Sequence, residues 1–131
     1  MQNVFAGWHL TYDGIVHPQA ADRLGDVAFL ERNLLDLVSL LDMEVLVAPV
    51  FKVVPLDPEQ MKDDTADEGG VTGTCIITTS HLSIHTWPLR HRFSLDAFSC
   101  KNFSKERAIG FLSDRFLVKR STTHWIERTW P

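Results

Sequence analysis

Ser80, His85 and Cys100 bring a hydroxyl, an imidazole and a thiol into one short part of a 131-residue chain. A hydroxyl can act as a nucleophile, an imidazole as an acid or base near neutral pH, and a thiol as a proton donor. One kind of chemistry uses all three. A serine in a strained turn attacks the carbonyl of the residue before it, moving that peptide bond onto its own oxygen as an ester. Elimination from the ester leaves dehydroalanine, which hydrolyses to a pyruvoyl group. A pyruvoyl carbonyl condenses with a substrate amine and draws electrons from it, in place of pyridoxal phosphate.

Each residue also has a plainer reading. Ser80 alone is a strand-end serine, His85 a hydrogen-bonded core histidine, and Cys100 a small buried hydrophobe. Cys75, in an apolar stretch, reads as buried. His81, His85, His91 and Cys100 match no common zinc spacing and no Cys-x-x-Cys accompanies them, so no metal is expected. A regular strand would put Ser80 and His85 on opposite faces, because the side-chain period is two. Cooperation between them therefore needs a bend, a bulge or an approach across strands.

The elements that position these residues follow from pattern. Residues 4–12 read as a first strand, with Asp13-Gly14 and His17-Pro18 as turn chemistry. Over 21–41, Val27, Leu30, Leu34, Val38 and Leu41 recur at helical spacing, with Asp26 as a candidate N-cap after Gly25. Residues 44–54 form a valine-rich strand interrupted by Pro49, which suggests an edge or a bulge. Residues 55–70 read as a long solvated loop holding Asp57, Glu59, Asp63, Asp64, Asp67 and Glu68, without calcium-loop spacing.

Residues 73–79 and 82–87 are strand material around Ser80. Residues 92–98 alternate, with Phe93, Leu95 and Ala97 opposite Asp96 and Phe98. Ser104 caps a helix striped by Ala108, Ile109, Leu112 and Phe116, and 118–130 is a last strand. The order β-α-β-β-β-α-β, with a hairpin at Pro88-Leu89-Arg90, predicts an α+β fold. In this two-layer α/β sandwich, two helices cover one face of an antiparallel sheet. One domain, 1–131, is expected.

A net charge of −4 with scattered basic residues predicts no nucleic-acid partner. No apolar run is long enough to span a bilayer and the first residues do not resemble a signal peptide, so no membrane partner is expected and a cytoplasmic location is. Two cysteines do not make a disulfide framework.

Three stretches carry a resemblance: Gly69-Gly70-Val71-Thr72-Gly73, then residues 80–88 from Ser80 through His85 and Trp87 to Pro88, then Asp96-Ala97-Phe98-Ser99-Cys100. Together, with Gly7-Trp8-His9-Leu10 near the start, they resemble the prokaryotic S-adenosylmethionine decarboxylase proenzyme family, over most of the chain. The resemblance implies cleavage between Thr79 and Ser80 into a β chain, 1–79, and an α chain, 80–131. It implies a pyruvoyl cofactor formed from Ser80, His85 as the processing acid or base, Cys100 as the proton donor after carbon dioxide leaves, and Trp87 near the adenine. It also implies a homodimer of αβ protomers with active sites near the interface, a small-molecule substrate, and a role in polyamine (spermidine) synthesis.

The chain departs from the family at Thr79, where the family has Glu, and at Leu89, where Trp-Pro is followed by Glu. It also has Val54 where an aromatic is usual, and a longer loop at 55–70. Leucine cannot accept the ribose hydrogen bonds expected of that glutamate. These positions bear on nucleoside recognition and leave two further expectations beside S-adenosylmethionine: L-ornithine or L-arginine as substrate, or an unprocessed homologue with a binding or regulatory role.

Overall fold

Alternation along β5, Arg92–Ser99, buries Phe93, Leu95 and Ala97 and turns Arg92, Ser94, Asp96 and Phe98 the other way. Three more strands repeat the device, two others are largely exposed, and the six form one antiparallel sheet. A computed structural model of the chain describes residues 4–55 and 69–131. The acidic loop expected at 55–70 falls, for 56–68, outside the described residues.

The strands are β1 Phe5–Val16, β2 Val45–Val54, β3 Gly70–Ile77, β4 Ser80–Trp87, β5 and β6 Val118–Thr129. Their spatial order is β2-β3-β4-β5-β1-β6. Helix α1, Val27–Leu40, and helix α2, Lys105–Arg115, lie on one face, as the α+β sandwich reading predicted. Leu30, Leu34, Leu37 and Val38 of α1 and Ala108 and Leu112 of α2 pack onto Leu10, Tyr12, Leu82, Ile84, Phe93 and Leu95 of the sheet. Phe116 closes the gap, stacked on Phe93 with centroids 4.5 Å apart and edge-on to Phe29 at 5.4 Å.

The opposite sheet face carries no helix among the described residues. From β2 across to β6 it presents Val50, Thr72, Ile76, His81, His85, Asp96, His9 and Ile126, with Val50, Ile76 and Ile126 all exposed.

Local expectations were met at several points and corrected at others. Asp26 is the N-cap of α1, its Oδ1 accepting from the Phe29 N–H at 3.2 Å, but the stretch before it is a separate 3-10 segment, Pro18–Gly25. Asp13-Gly14 is not a turn. β1 runs through it, because Asp13 accepts from Ser94 Oγ across the strand pair (2.6 Å) and bare Gly14 leaves room for the Phe93 ring. Pro49 does sit in an edge strand, and its pairing with β3 is irregular on both sides of Val47.

The sheet also has one strand more than the expected order. What read as one strand around Ser80 is two, β3 and β4, joined by the two-residue turn Thr78-Thr79 with Ile77 opposite Ser80. The Pro88–Arg90 turn is a short 3-10 segment closed by His91 in the left-handed region (φ 56°).

Candidate active site

Two β-branched residues make a poor tight turn, since hairpin turns of this length favour Asn-Gly and similar pairs. Thr78-Thr79 is instead held from outside. The Thr78 N–H donates to the Glu44 carbonyl (3.0 Å), the Cys100 N–H donates to the Thr79 carbonyl (2.9 Å), and Ser99 Oγ donates to Thr79 Oγ1 (2.8 Å). The backbone conformation that results falls on Ser80, whose φ is 154°, a region L residues rarely occupy.

That angle has a chemical meaning. Tetrahedral geometry at Cα places Cβ about 120° from the carbonyl carbon of its own residue, viewed down N–Cα. At the φ near −120° of an ordinary strand, Cβ therefore stands roughly 120° away from the preceding carbonyl carbon. At Ser80 the same torsion falls to roughly 35°, midway between staggered and eclipsed. Cβ is thereby swung toward the Thr79 carbonyl carbon, as a five-membered ring of that carbon, N, Cα, Cβ and Oγ requires. Among the described residues the Ser80 hydroxyl makes no side-chain hydrogen bond that would hold it elsewhere. The Cys100 N–H already sits on the carbonyl oxygen that would become negative, where a fixed donor is most effective.

Cys100 follows β5 directly and is exposed, with its N–H on the Thr79 carbonyl; the buried reading of this residue is thereby corrected. Cys75 faces the helices and is buried, and burial pushes its thiol pKa up. A thiol reagent is therefore expected to label one cysteine per native chain, Cys100, and both only after denaturation. Two labels on the native chain would contradict this placement.

His85 lies elsewhere. β4 pairs regularly with both neighbours, without a bulge, so His85 is on the bare face and five positions along the strand from Ser80. At about 3.3 Å per residue that is roughly 16 Å. The bend needed to join them within one chain is absent. His85 Nδ1 is 3.1 Å from Thr72 Oγ1, directly across the β3–β4 pair. A hydroxyl on Nδ1 fixes the ring and leaves Nε2 directed outward.

The Trp87 ring is 6.5 Å from that of His85, and both line a cleft of about 1060 Å³ with Gly70, Thr72, Asp13 and Ser94. Arg90, Arg92 and Arg120 make the cleft rim basic. Gly70 is required here (φ 151°), since a Cβ would collide with the Thr86 carbonyl. Ser80, Cys100 and Thr79 thus stand at one end of the sheet, and His85, Trp87 and the cleft at the other. Sequence patterning missed Thr72 and Ser99 as hydrogen-bond partners of His85 and Thr79. The pairing sums of the two hairpins, 77 with 80 and 87 with 92, would have located both.

Comparison with known proteins agrees with the earlier resemblance. The S-adenosylmethionine decarboxylase family profile matches residues 9–129. The chain is 25% identical over 118 residues to an S-adenosylmethionine decarboxylase proenzyme of Clostridium botulinum (strain Loch Maree / Type A3), covering 89% of each. It is 27% identical over 106 residues to the proenzyme of that name from Pyrococcus horikoshii, covering 80% of this chain and 67% of the relative. In fold it is similar to the crystal structure of the adenosylmethionine decarboxylase from Aquifex aeolicus, with a TM-score of 0.71 at 24% identity over 98% of this chain and 94% of the other.

Proposed function

The chain belongs to the S-adenosylmethionine decarboxylase family, and on that footing we propose that it is a self-processing, pyruvoyl-dependent decarboxylase acting on S-adenosylmethionine for polyamine synthesis. The observation that carries the reading is the backbone angle of Ser80, 154°, which turns its side chain toward the Thr79 carbonyl. Ser80 Oγ adds to that carbonyl carbon while the Cys100 N–H holds the oxygen. The Thr79–Ser80 C–N bond then breaks, the nitrogen takes a proton, and Thr79 is left esterified on Oγ.

Loss of the Ser80 α-proton and breakage of the Cβ–O bond release the Thr79 carboxylate. They leave dehydroalanine, which takes up water and loses ammonia. The pyruvoyl group so formed at residue 80 supplies the electron sink for decarboxylation. Cys100, exposed beside it, holds a proton on Sγ for the substrate carbon, and Trp87 offers an aromatic face in the cleft.

A base is needed for the first step, and His85 is too far along its own strand to supply it. The reading therefore includes a two-fold homodimer of αβ protomers joined through the bare sheet face, in which His85 of one copy serves Ser80 of the other. The exposed Val50, Ile76 and Ile126 on that face favour such burial.

Intact mass of the purified protein tests the proposal. Two pieces are expected, 1–79 and 80–131, the second beginning in a pyruvoyl group. Carbon dioxide should be released from carboxyl-labelled S-adenosylmethionine. An intact chain after long incubation would refute self-processing, and release only from ornithine or arginine would refute the substrate.

A further inference from the structure

We propose that Ser99 is a positioning residue for cleavage of the Thr79–Ser80 bond, acting through the Thr79 hydroxyl; this rests on the self-processing reading above. Ser99 ends β5, is 1% exposed, and is the cross-strand partner of Ser80. Its Oγ accepts from the Lys101 N–H at 3.0 Å, so the hydroxyl proton is left for Thr79 Oγ1 at 2.8 Å. The direction of both bonds is therefore set: a backbone donor orients Ser99, and Ser99 orients Thr79.

The next residue completes the hold. The Cys100 N–H bonds the Thr79 carbonyl oxygen, so Ser99 and Cys100 take Thr79 by its side chain and its carbonyl at once. Two attachments on one residue stop the peptide plane from turning about the chain. That plane contains the carbonyl carbon under attack, and its orientation decides whether Ser80 Oγ meets it at a productive angle. The turn cannot supply this constraint itself, because Thr78-Thr79 lacks the residues that favour a tight turn. A carboxylate before the cleaved serine would load a charge into this half-buried contact, whereas threonine fits a neutral hydroxyl partner. The Ser99 hydroxyl bonds Thr79 Oγ1 and the Lys101 N–H, so its influence on the cleaved bond passes through Thr79.

The test follows self-cleavage of the full chain by intact mass over time, together with decarboxylation per cleaved chain. Ser99→Ala removes the donor. Thr79→Val removes the acceptor, keeps the shape, and leaves the Ser99–Lys101 bond in place. Each is expected to slow cleavage at least about tenfold. The double variant should be no slower than the slower single one, since both remove the same bond. Thr79→Ser and Ser99→Thr, which keep the hydroxyls, should restore most of the rate.

Turnover per cleaved chain should be unchanged throughout, because the hold acts before the bond is cut; a merely structural role would lower both. Wild-type rates in Ser99→Ala or Thr79→Val, or independent losses that multiply in the double variant, would overturn the proposal. An uncut wild-type chain would overturn the parent reading and this inference with it, whereas cutting in wild type with indifferent variants overturns this inference alone.

Discussion

Ser80→Gly is expected to yield an uncut, inactive chain that is more stable than the uncut Ser80→Ala chain by about 1 kcal/mol. Alanine removes the nucleophilic oxygen but keeps Cβ, and so keeps the strain of a φ of 154°. Such strain costs about 1–3 kcal/mol at a non-glycine residue. Glycine removes oxygen and strain together, at a cost of about 0.4–1 kcal/mol in unfolded-chain entropy. Equilibrium urea denaturation of the two uncut proteins gives the difference directly. Equal stabilities would mean that Ser80 stores no strain, and the torsional account of its reactivity would fall. A residue that lowers stability and is needed for reaction belongs to the chemistry rather than to the fold.

His85→Ala is expected to slow cleavage by roughly 100-fold or more, the usual contribution of a positioned acid or base. The more informative result comes from co-expression with Ser80→Ala. If His85 serves Ser80 across a dimer, a mixed pair has one site with both defects and one with neither. Random pairing then lets about a quarter of all chains cleave, all of them carrying His85→Ala. If His85 served its own chain, no mixed pair could be cut. Intact mass reads which chain was cut as well as how much, because the two precursors differ in mass. The strand geometry predicts the first outcome, since Ser80 and His85 occupy opposite ends of a strand paired regularly on both sides.

Much of this was legible in the sequence, and the exceptions share a cause. The α2 stripe, the Ser104 and Asp26 caps and the alternation of β5 are local patterns, and each was found where expected. Asp13-Gly14 misled because a turn-forming pair can also serve a strand, here through the Asp13–Ser94 bond and the room Gly14 gives Phe93. Thr78-Thr79 went unseen as a turn because its residues favour strands, and only contacts from Glu44, Ser99 and Cys100 fold it over. Missing that turn hid the register, and with the register went the pairs Thr72–His85 and Ser80–Ser99. Ser80, His85 and Cys100 stood out by type and spacing. Which of them meet was a question of tertiary contact, which no local pattern carries.

A cut after the Thr78-Thr79 turn would assign β1, β2 and β3 to one piece and β4, β5 and β6 to the other. In the sheet order β2-β3-β4-β5-β1-β6 those pieces do not sit side by side. The second holds β4 and β5, then the first returns with β1, and the second takes the far edge with β6. Three strand boundaries are therefore shared, and the fragments are interleaved like fingers of two hands. Cutting would sever one peptide bond and free neither piece from the other. Such an architecture can be assembled easily only while the chain is still continuous. Once cut and unfolded, it would have to find its other half by diffusion, so refolding would become a second-order process and activation a step that runs in one direction.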